Sequence, residues 1–336
     1  MPESSLWLLV LIIILAVGFG VVNGFNDAAN AVAASIGSRA LSPRKAILLA
    51  AVFNMAGAAT GTAVAMTIGK GILTEEVILE FSYLPLVAAL ASVIIWGTIA
   101  TYWGLPVSIS HSFISALAAA GIAVAGSGAV VWGAIQRILS AVAIAPVLGF
   151  IGGFVLMVAL FWIFRHSAPA RMRVIFSRLQ WLTTAFLAYS HGKNDGQMPI
   201  GVITMALVIY TGNSALWESI PWWVIVISAL AISSGTAVGG WRVIKTLGWR
   251  VTNLQPVHGF ASDFSAAMVI EGASMLGIPV STTHCASGAI MGVGATRRLS
   301  AVRWGVAGNI VAAWVLTFPI TAGLGYLFAW LLKAIF

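Results

Sequence analysis

Apolar residues run along this chain in long unbroken stretches separated by short polar loops. The first, LWLLVLIIILAV from Leu6 to Val17, shows no alternation of polar and apolar positions, so it reads as helix and not as a strand of a membrane barrel. A helix of about 20 apolar residues crosses the hydrocarbon of a bilayer. Stretches of that order cover approximately 6–38, 45–68, 82–103, 106–125 and 138–164 in the first half, and 179–210, 221–238, 254–275, 278–295 and 304–332 in the second. The pattern predicts an all-α integral membrane protein of about ten hydrophobic segments.

Charge in the loops orients these segments. SRALSPRK after the first segment carries Arg39, Arg44 and Lys45, whereas TGNSALWES after its counterpart carries only Glu218. After the second segment the bias reverses: KGILTEEVILE holds Glu75, Glu76 and Glu80, and GGWRVIKTLGWR holds Arg242, Lys245 and Arg250. The central stretch RHSAPARMRVIFSR is the most basic, and the positive-inside rule puts it in the cytoplasm. Counting outward from it leaves both termini outside. Five segments per half is an odd number, so residues 1–168 and 169–336 are expected to form two inverted-topology repeats. That construction places broken or re-entrant helices at a midplane site.

Composition agrees with a cell-membrane, multi-pass protein: 60% hydrophobic residues, 8% charged and a mean hydropathy of +1.01. The net charge of +8 sits in short loops, which is a topology signal and not a nucleic-acid surface. A single cysteine, Cys285, excludes an internal disulfide and a cysteine-rich metal site. MPESS lacks a basic region, so the first segment reads as a transmembrane helix of the mature protein and not as a cleaved signal.

Two motifs recur in both halves. GFNDAAN at 24–30 and HGKNDGQ at 191–197 each place an Asn-Asp pair inside an apolar run, and Asp195 follows Asp27 by 168 positions, half the chain. A carboxylate at the bilayer centre costs about 2.5–3.5 kcal/mol on insertion scales and marks function by default. Asp27 and Asp195, with Asn23, Asn26 and Asn194, offer oxygen ligands suited to sodium, and a proton is the other candidate. The plainer alternative is a pair of buried carboxylates satisfied by backbone amides.

GLPVSISHS at 104–112 and GIPVSTTHC at 277–285 form the second pair. Each reads as a helix starting after a break, with Pro106 or Pro279 in the first turn. A helix N-terminus within a membrane must satisfy its free amides, and an oxyanion does so. Ser108, Ser110, Ser281, Thr282 and Thr283 would add hydroxyl donors for a tetrahedral anion, with His111 and His284 at the edge of that set. Simple helix capping is the alternative.

These four motifs, in this order, resemble the PiT family of inorganic phosphate transporters, over essentially the whole chain. The resemblance implies a homodimeric symporter that carries inorganic phosphate with a co-transported sodium or proton, with no resident cofactor and no enzymatic activity. In it the Asn-Asp pairs serve the cation and the Ser/Thr motifs serve phosphate. Three positions depart from the family pattern. Lys193 precedes Asn194 where a small residue is usual, and its expected partner is Asp195. Ile109 and Ser110 replace a Thr-Thr pair. A glutamate found in some members stands here as Asn54, with Asp263 as its expected counterpart in the second half; Glu271 is expected near a helix end in a structural role.

A sulfate or arsenate transporter of the same fold fits the same donors. An intramembrane hydrolase using Ser110 or Thr283 is disfavoured because the candidate set occurs twice, while a triad needs one nucleophile and one base. An anion channel would not bury paired acids beside its anion path. No phosphate loop of the nucleotide-driven transporters is present in the sequence.

Overall fold

A computed structural model describes residues 6–81 and 83–335. The first half comprises α1 (Leu6–Gly37), α2 (Pro43–Ala58), α3 (Ala63–Lys70), α4 (Glu75–Phe81), α5 (Leu84–Trp103), α6 (Ile109–Ala125) and α7 (Trp132–Ile163). The second comprises α8 (Pro169–Asp195), α9 (Gln197–Thr211), α10 (Trp222–Val238), α11 (Trp241–Lys245), α12 (Pro256–Met275), α13 (Thr282–Ala295) and α14 (Trp304–Ile335). A π-turn over Thr246–Arg250 continues α11.

Each expected segment contains helix, but fewer of them are straight spans. By length and apolarity α1, α5, α7 and α14 can each cross a membrane unaided. The second expected segment is a bent pair, α2 meeting α3 at 69°, and the seventh, α10, is followed by helix over Trp241–Arg250 at 60°, where a basic loop was expected. Buried backbone freed by the first bend is satisfied by a side chain from the other half. Gln197 Oε1 accepts from the amides of Val64 at 2.9 Å and Ala65 at 3.3 Å, and its Nε2 donates to Thr60 O at 3.2 Å.

The central basic stretch is helical from Pro169 onward, where a loop was expected. Proline opens α8 without losing a needed donor, and the arginines that follow are good helix formers whose stems lie along apolar surface. Pro106 and Pro279 also differ from expectation. They lie in extended segments before α6 and α13, and Ser108 and Ser281 are the N-caps. Each serine Oγ accepts the amide of the histidine three residues on, His111 or His284, at 3.2 Å. Gly104 and Gly277, at φ 72° and 65°, make the left-handed turns that end α5 and follow α12. At roughly 1.5 Å per residue, α6 and α13 are too short to span alone.

The two halves of the chain interlock. α1 packs along α10 while α8 packs along α2, and α6 packs along α14 while α13 packs along α7. Glycines set the closest approaches. A Cβ on Gly24 would lie 2.0 Å from Ile232 O, and one on Gly192 would lie 2.1 Å from Asn54 O. Both glycines stand three residues before their aspartate. Large apolar side chains such as Trp7, Leu48, Ile151, Leu182 and Leu331 face outward, and the polar motif residues are buried, the distribution of a protein solvated by lipid. Along α1, Leu9 to Phe19 belong to one apolar cluster and Ala29 to Ile36 to another. Asn23, Asn26 and Asp27 lie in between.

Candidate functional site

Helix packing brings the two aspartates together. Asp27 on α1 and Asp195 on α8 join His191 in a cluster whose nearest ligand atoms all lie within 4.8 Å of one another. His191 stands one turn before Asp195, so both face the same way, and its Nε2 lies 3.2 Å from Asp195 Oδ2.

The hydroxyl motifs meet this cluster directly. Ser110 on α6 donates to Asp195 Oδ1 at 2.7 Å, and Thr282 on α13 donates to Asp195 Oδ2 at 2.8 Å. Thr283 lies 2.7 Å from Asp27 Oδ1 and 3.0 Å from Val107 O, and Asn30 Nδ2 reaches Asp27 Oδ1 at 2.8 Å. Ser110 and Thr283 are matching positions, and each meets the carboxylate of the opposite half, while Thr282 serves that of its own. All six of Asp27, Ser110, His191, Asp195, Thr282 and Thr283 are at most 1% exposed. The arrangement is occluded.

The other candidates are placed differently. Asn26 donates to Thr101 Oγ1 at 2.7 Å and Leu105 O at 3.4 Å; Asn194 donates to Ser274 Oγ at 2.9 Å and Ile278 O at 3.4 Å, and also accepts Val280 N at 3.3 Å. Both asparagines thus tie the motif helix to the chain break before α6 or α13. Asn23 is buried with neither amide atom hydrogen-bonded to protein, and the side-chain oxygens of Asn26 and Asn30 are likewise unpartnered. His111 and His284 lie with ring centroids 5.4 Å apart, His284 against Trp314 and His111 against Phe318. They do not touch the aspartates by hydrogen bond. Ser108 and Ser281 act as caps, as described above.

Lys193 does not pair with Asp195. Residues two apart on a helix point to different faces, and Lys193 reaches across to Glu271 on α12 in an ion pair that is 17% and 15% exposed. Glu271 lies in the last two turns of α12, where a structural role was expected. Removing one partner strands the other charge in a half-dry setting. Glu271→Gln is therefore expected to lower stability by roughly 1–3 kcal/mol, with recovery in the double variant Lys193→Met/Glu271→Leu. Thermal denaturation of the wild type and the two variants measures both, and equal melting temperatures across the three proteins would contradict the pairing.

Asp263 also lies away from the cluster. It is buried on α12 and accepts Thr184 Oγ1 at 3.1 Å, and Thr184 precedes Asp195 by eleven residues, roughly 16 Å along α8. Asn54 and Asp263 lie on different helices, Asn54 on α2 and Asp263 on α12. Asn54 instead reaches the site through His191, with Asn54 Oδ1 2.7 Å from His191 Nδ1 and Asn54 Nδ2 donating to Thr236 at 2.8 Å. His191 and Asn30 are the site residues that the motif reading passed over. Their signal was helical spacing, one turn from each aspartate.

Residues 23–325 match the profile of the phosphate transporter family. The chain belongs to that family. Two bacterial relatives, each described as "Probable low-affinity inorganic phosphate transporter", align along nearly the whole length. The one from Bacillus subtilis (strain 168) is 42% identical, covering 99% of this chain and 100% of the relative. The one from Rhizobium meliloti (strain 1021) is 39% identical, covering 94% and 93%. A solved structure described as "The sodium-dependent phosphate transporter" superposes with a TM-score of 0.90 at 29% identity, covering 98% of this chain and 100% of that one. This member of the phosphate transporter family is thus a multi-pass membrane protein whose relatives are transporters and not enzymes.

Proposed function

We propose that the chain moves inorganic phosphate across the membrane together with a cation, at one site shared by the two halves. The observation that carries this reading is the contact of Asp27 and Asp195 with hydroxyls at the starts of α6 and α13. Those hydroxyl hydrogens are the donors an oxyanion would need, and here they go to carboxylates. A cation that takes the carboxylate oxygens frees the hydroxyls for phosphate. Anion binding without the cation leaves acid and anion facing each other, so the two loads travel together.

Two seats for a cation support two coupling ions. Within one helical turn of Asp27, Asn23, Asn26 and Asn30 each carry a buried side-chain oxygen without a hydrogen bond, which supports sodium at the first seat. At Asp195 the hydrogen-bond polarity supports a proton. Thr236 donates to Ile232 O, so it accepts from Asn54, whose oxygen then accepts from His191 Nδ1. His191 Nε2 faces Asp195, and two acceptors in contact require a proton between them. The first half lacks this relay, since Asn23 stands where His191 stands in the second.

Matching tethers at Asn26 and Asn194, and the swapped pairing of helices, support the division into repeats 1–168 and 169–336 of opposite orientation, with the basic loops inside. Transport then consists of one set of helices moving against the other around the fixed cluster. Radiolabelled phosphate uptake into proteoliposomes under an imposed sodium or proton gradient tests the proposal. Sodium-driven uptake that Asp27→Asn removes assigns coupling to the first seat; proton-driven uptake that His191→Gln removes assigns it to the second. Uptake that follows neither gradient would refute symport.

A further inference from the structure

An open cavity of about 830 Å³ lies at the end of the molecule that carries the basic loops. The last turn of α1, the end of α7 and the starts of α8 and α12 enclose it. Arg39, Arg165 and Arg173 line it, and no aspartate or glutamate does. Among the described residues the ion pairs are His191–Asp195 and Lys193–Glu271, so none of the three arginines has a carboxylate partner. Arg165 is held over the Trp162 ring and donates to His166 at 3.0 Å.

Two local features add to this charge. Arg39 has φ 62° and is the one described non-glycine residue with a positive φ, at a helix end where glycine fits without strain. Glycine would relieve that strain but would remove an arginine from the cavity wall. The start of α8, with Pro169 and Ala170 in the cavity wall, has no side-chain cap, since its N-cap is Ala168. The neighbouring start of α12 is closed by reciprocal hydrogen bonds of Gln255 and His258. The uncapped start of α8 and three guanidinium groups without carboxylate partners thus line one concavity, a combination that fits a phosphate group.

We propose that this cavity is a second oxyanion site, taking inorganic phosphate at the basic face. Gly37 in its wall follows Asp27 by ten residues of α1, roughly 15 Å. On the cavity side of that distance Ser38 donates to Gln180 at 2.8 Å, and Gln180, Thr184, His191 and Asp195 share one face of α8, with Leu187 and Ala188 between Thr184 and His191. The site holds phosphate that leaves, or is about to reach, the central cluster.

The test is equilibrium binding of inorganic phosphate, by calorimetry, to purified protein in neutral detergent, in an Asp27→Asn background that disables the central site. Millimolar binding is expected to persist there and to weaken at least about tenfold in Asp27→Asn/Arg39→Gln/Arg173→Gln, since each phosphate–arginine pair is a charge-assisted bond. Arg39→Gly in the same background is expected to raise the melting temperature and weaken binding together, which separates loss of the ligand group from loss of the fold. Unchanged affinity in the double-arginine variant would overturn the site. Protection of the cavity by phosphatidylglycerol in nanodiscs, with no binding of free phosphate, would overturn phosphate as its ligand in favour of a lipid headgroup.

Discussion

Asp195→Asn is expected to lower the initial rate of phosphate uptake by at least about 100-fold while leaving the protein folded. Both carboxylate oxygens are in use, Oδ1 by Ser110 and Oδ2 by Thr282 and His191. An amide keeps one acceptor and turns the other into a donor that faces existing donors, and it removes the charge that a cation would neutralise. Hydrogen bonds to charged groups contribute about 1.5–3 kcal/mol each. Losing one such bond and the charge together corresponds to about two powers of ten, at about 1.4 kcal/mol per power. The isosteric change keeps packing intact, so the melting temperature should move little. Uptake within a factor of a few of the wild type, in a variant of normal thermal stability, would remove Asp195 from the site. Asp27→Asn should behave alike, because Thr283 and Asn30 converge on its Oδ1.

Gly192→Ala is expected to have a large effect for the addition of a single methyl group. Its new Cβ would lie 2.1 Å from Asn54 O and 2.8 Å from Asn54 Cα, and both are backbone atoms that cannot turn aside. α2 has to move off α8, and the Asn54–His191 contact opens with it. Overpacking of this kind costs about 1–3 kcal/mol, and because the moved atoms orient His191 against Asp195, uptake should fall further than stability does. Gly24→Ala repeats the experiment at the α1–α10 crossing, where Ile232 O is 2.0 Å away. Heating followed by size-exclusion chromatography measures the first effect and vesicle uptake the second. Wild-type behaviour in both assays would mean that the helices do not approach as closely as described.

Much of this molecule was legible in the sequence, because membrane burial leaves a strong apolar signal and because the chain repeats its chemistry. The four motifs named the residues that meet at the centre: Asp27, Asp195, Ser110, Thr282 and Thr283. What could not be read were contacts between faces. Lys193 looked like a partner for Asp195 because it is close in sequence, and helical geometry sends it to α12. Asn26 and Asn194 read as cation ligands, and their amide nitrogens also donate to the unwound backbone ahead of α6 and α13, a demand that exists only once the breaks have formed. His191 was visible as a letter, but its meaning depends on Asn54, a residue of the other half. The starts of α6 and α13 were placed early because proline was read as the first turn, where serine capping moves the start three residues on.

The interlocking of the halves bears on how the protein is made. α1 emerges from the ribosome about 185 residues before α10, the helix against which Gly24 packs. At roughly 5–20 residues per second that is a wait of about 10–40 s. During that time Asn26 can already reach Thr101 on α5, but Asp27 still lacks Thr283 of α13, and its carboxylate has to be sheltered from the lipid. Synthesis of this protein therefore has a vulnerable interval, which outlasts the arrival of α10 and ends when α13 is made.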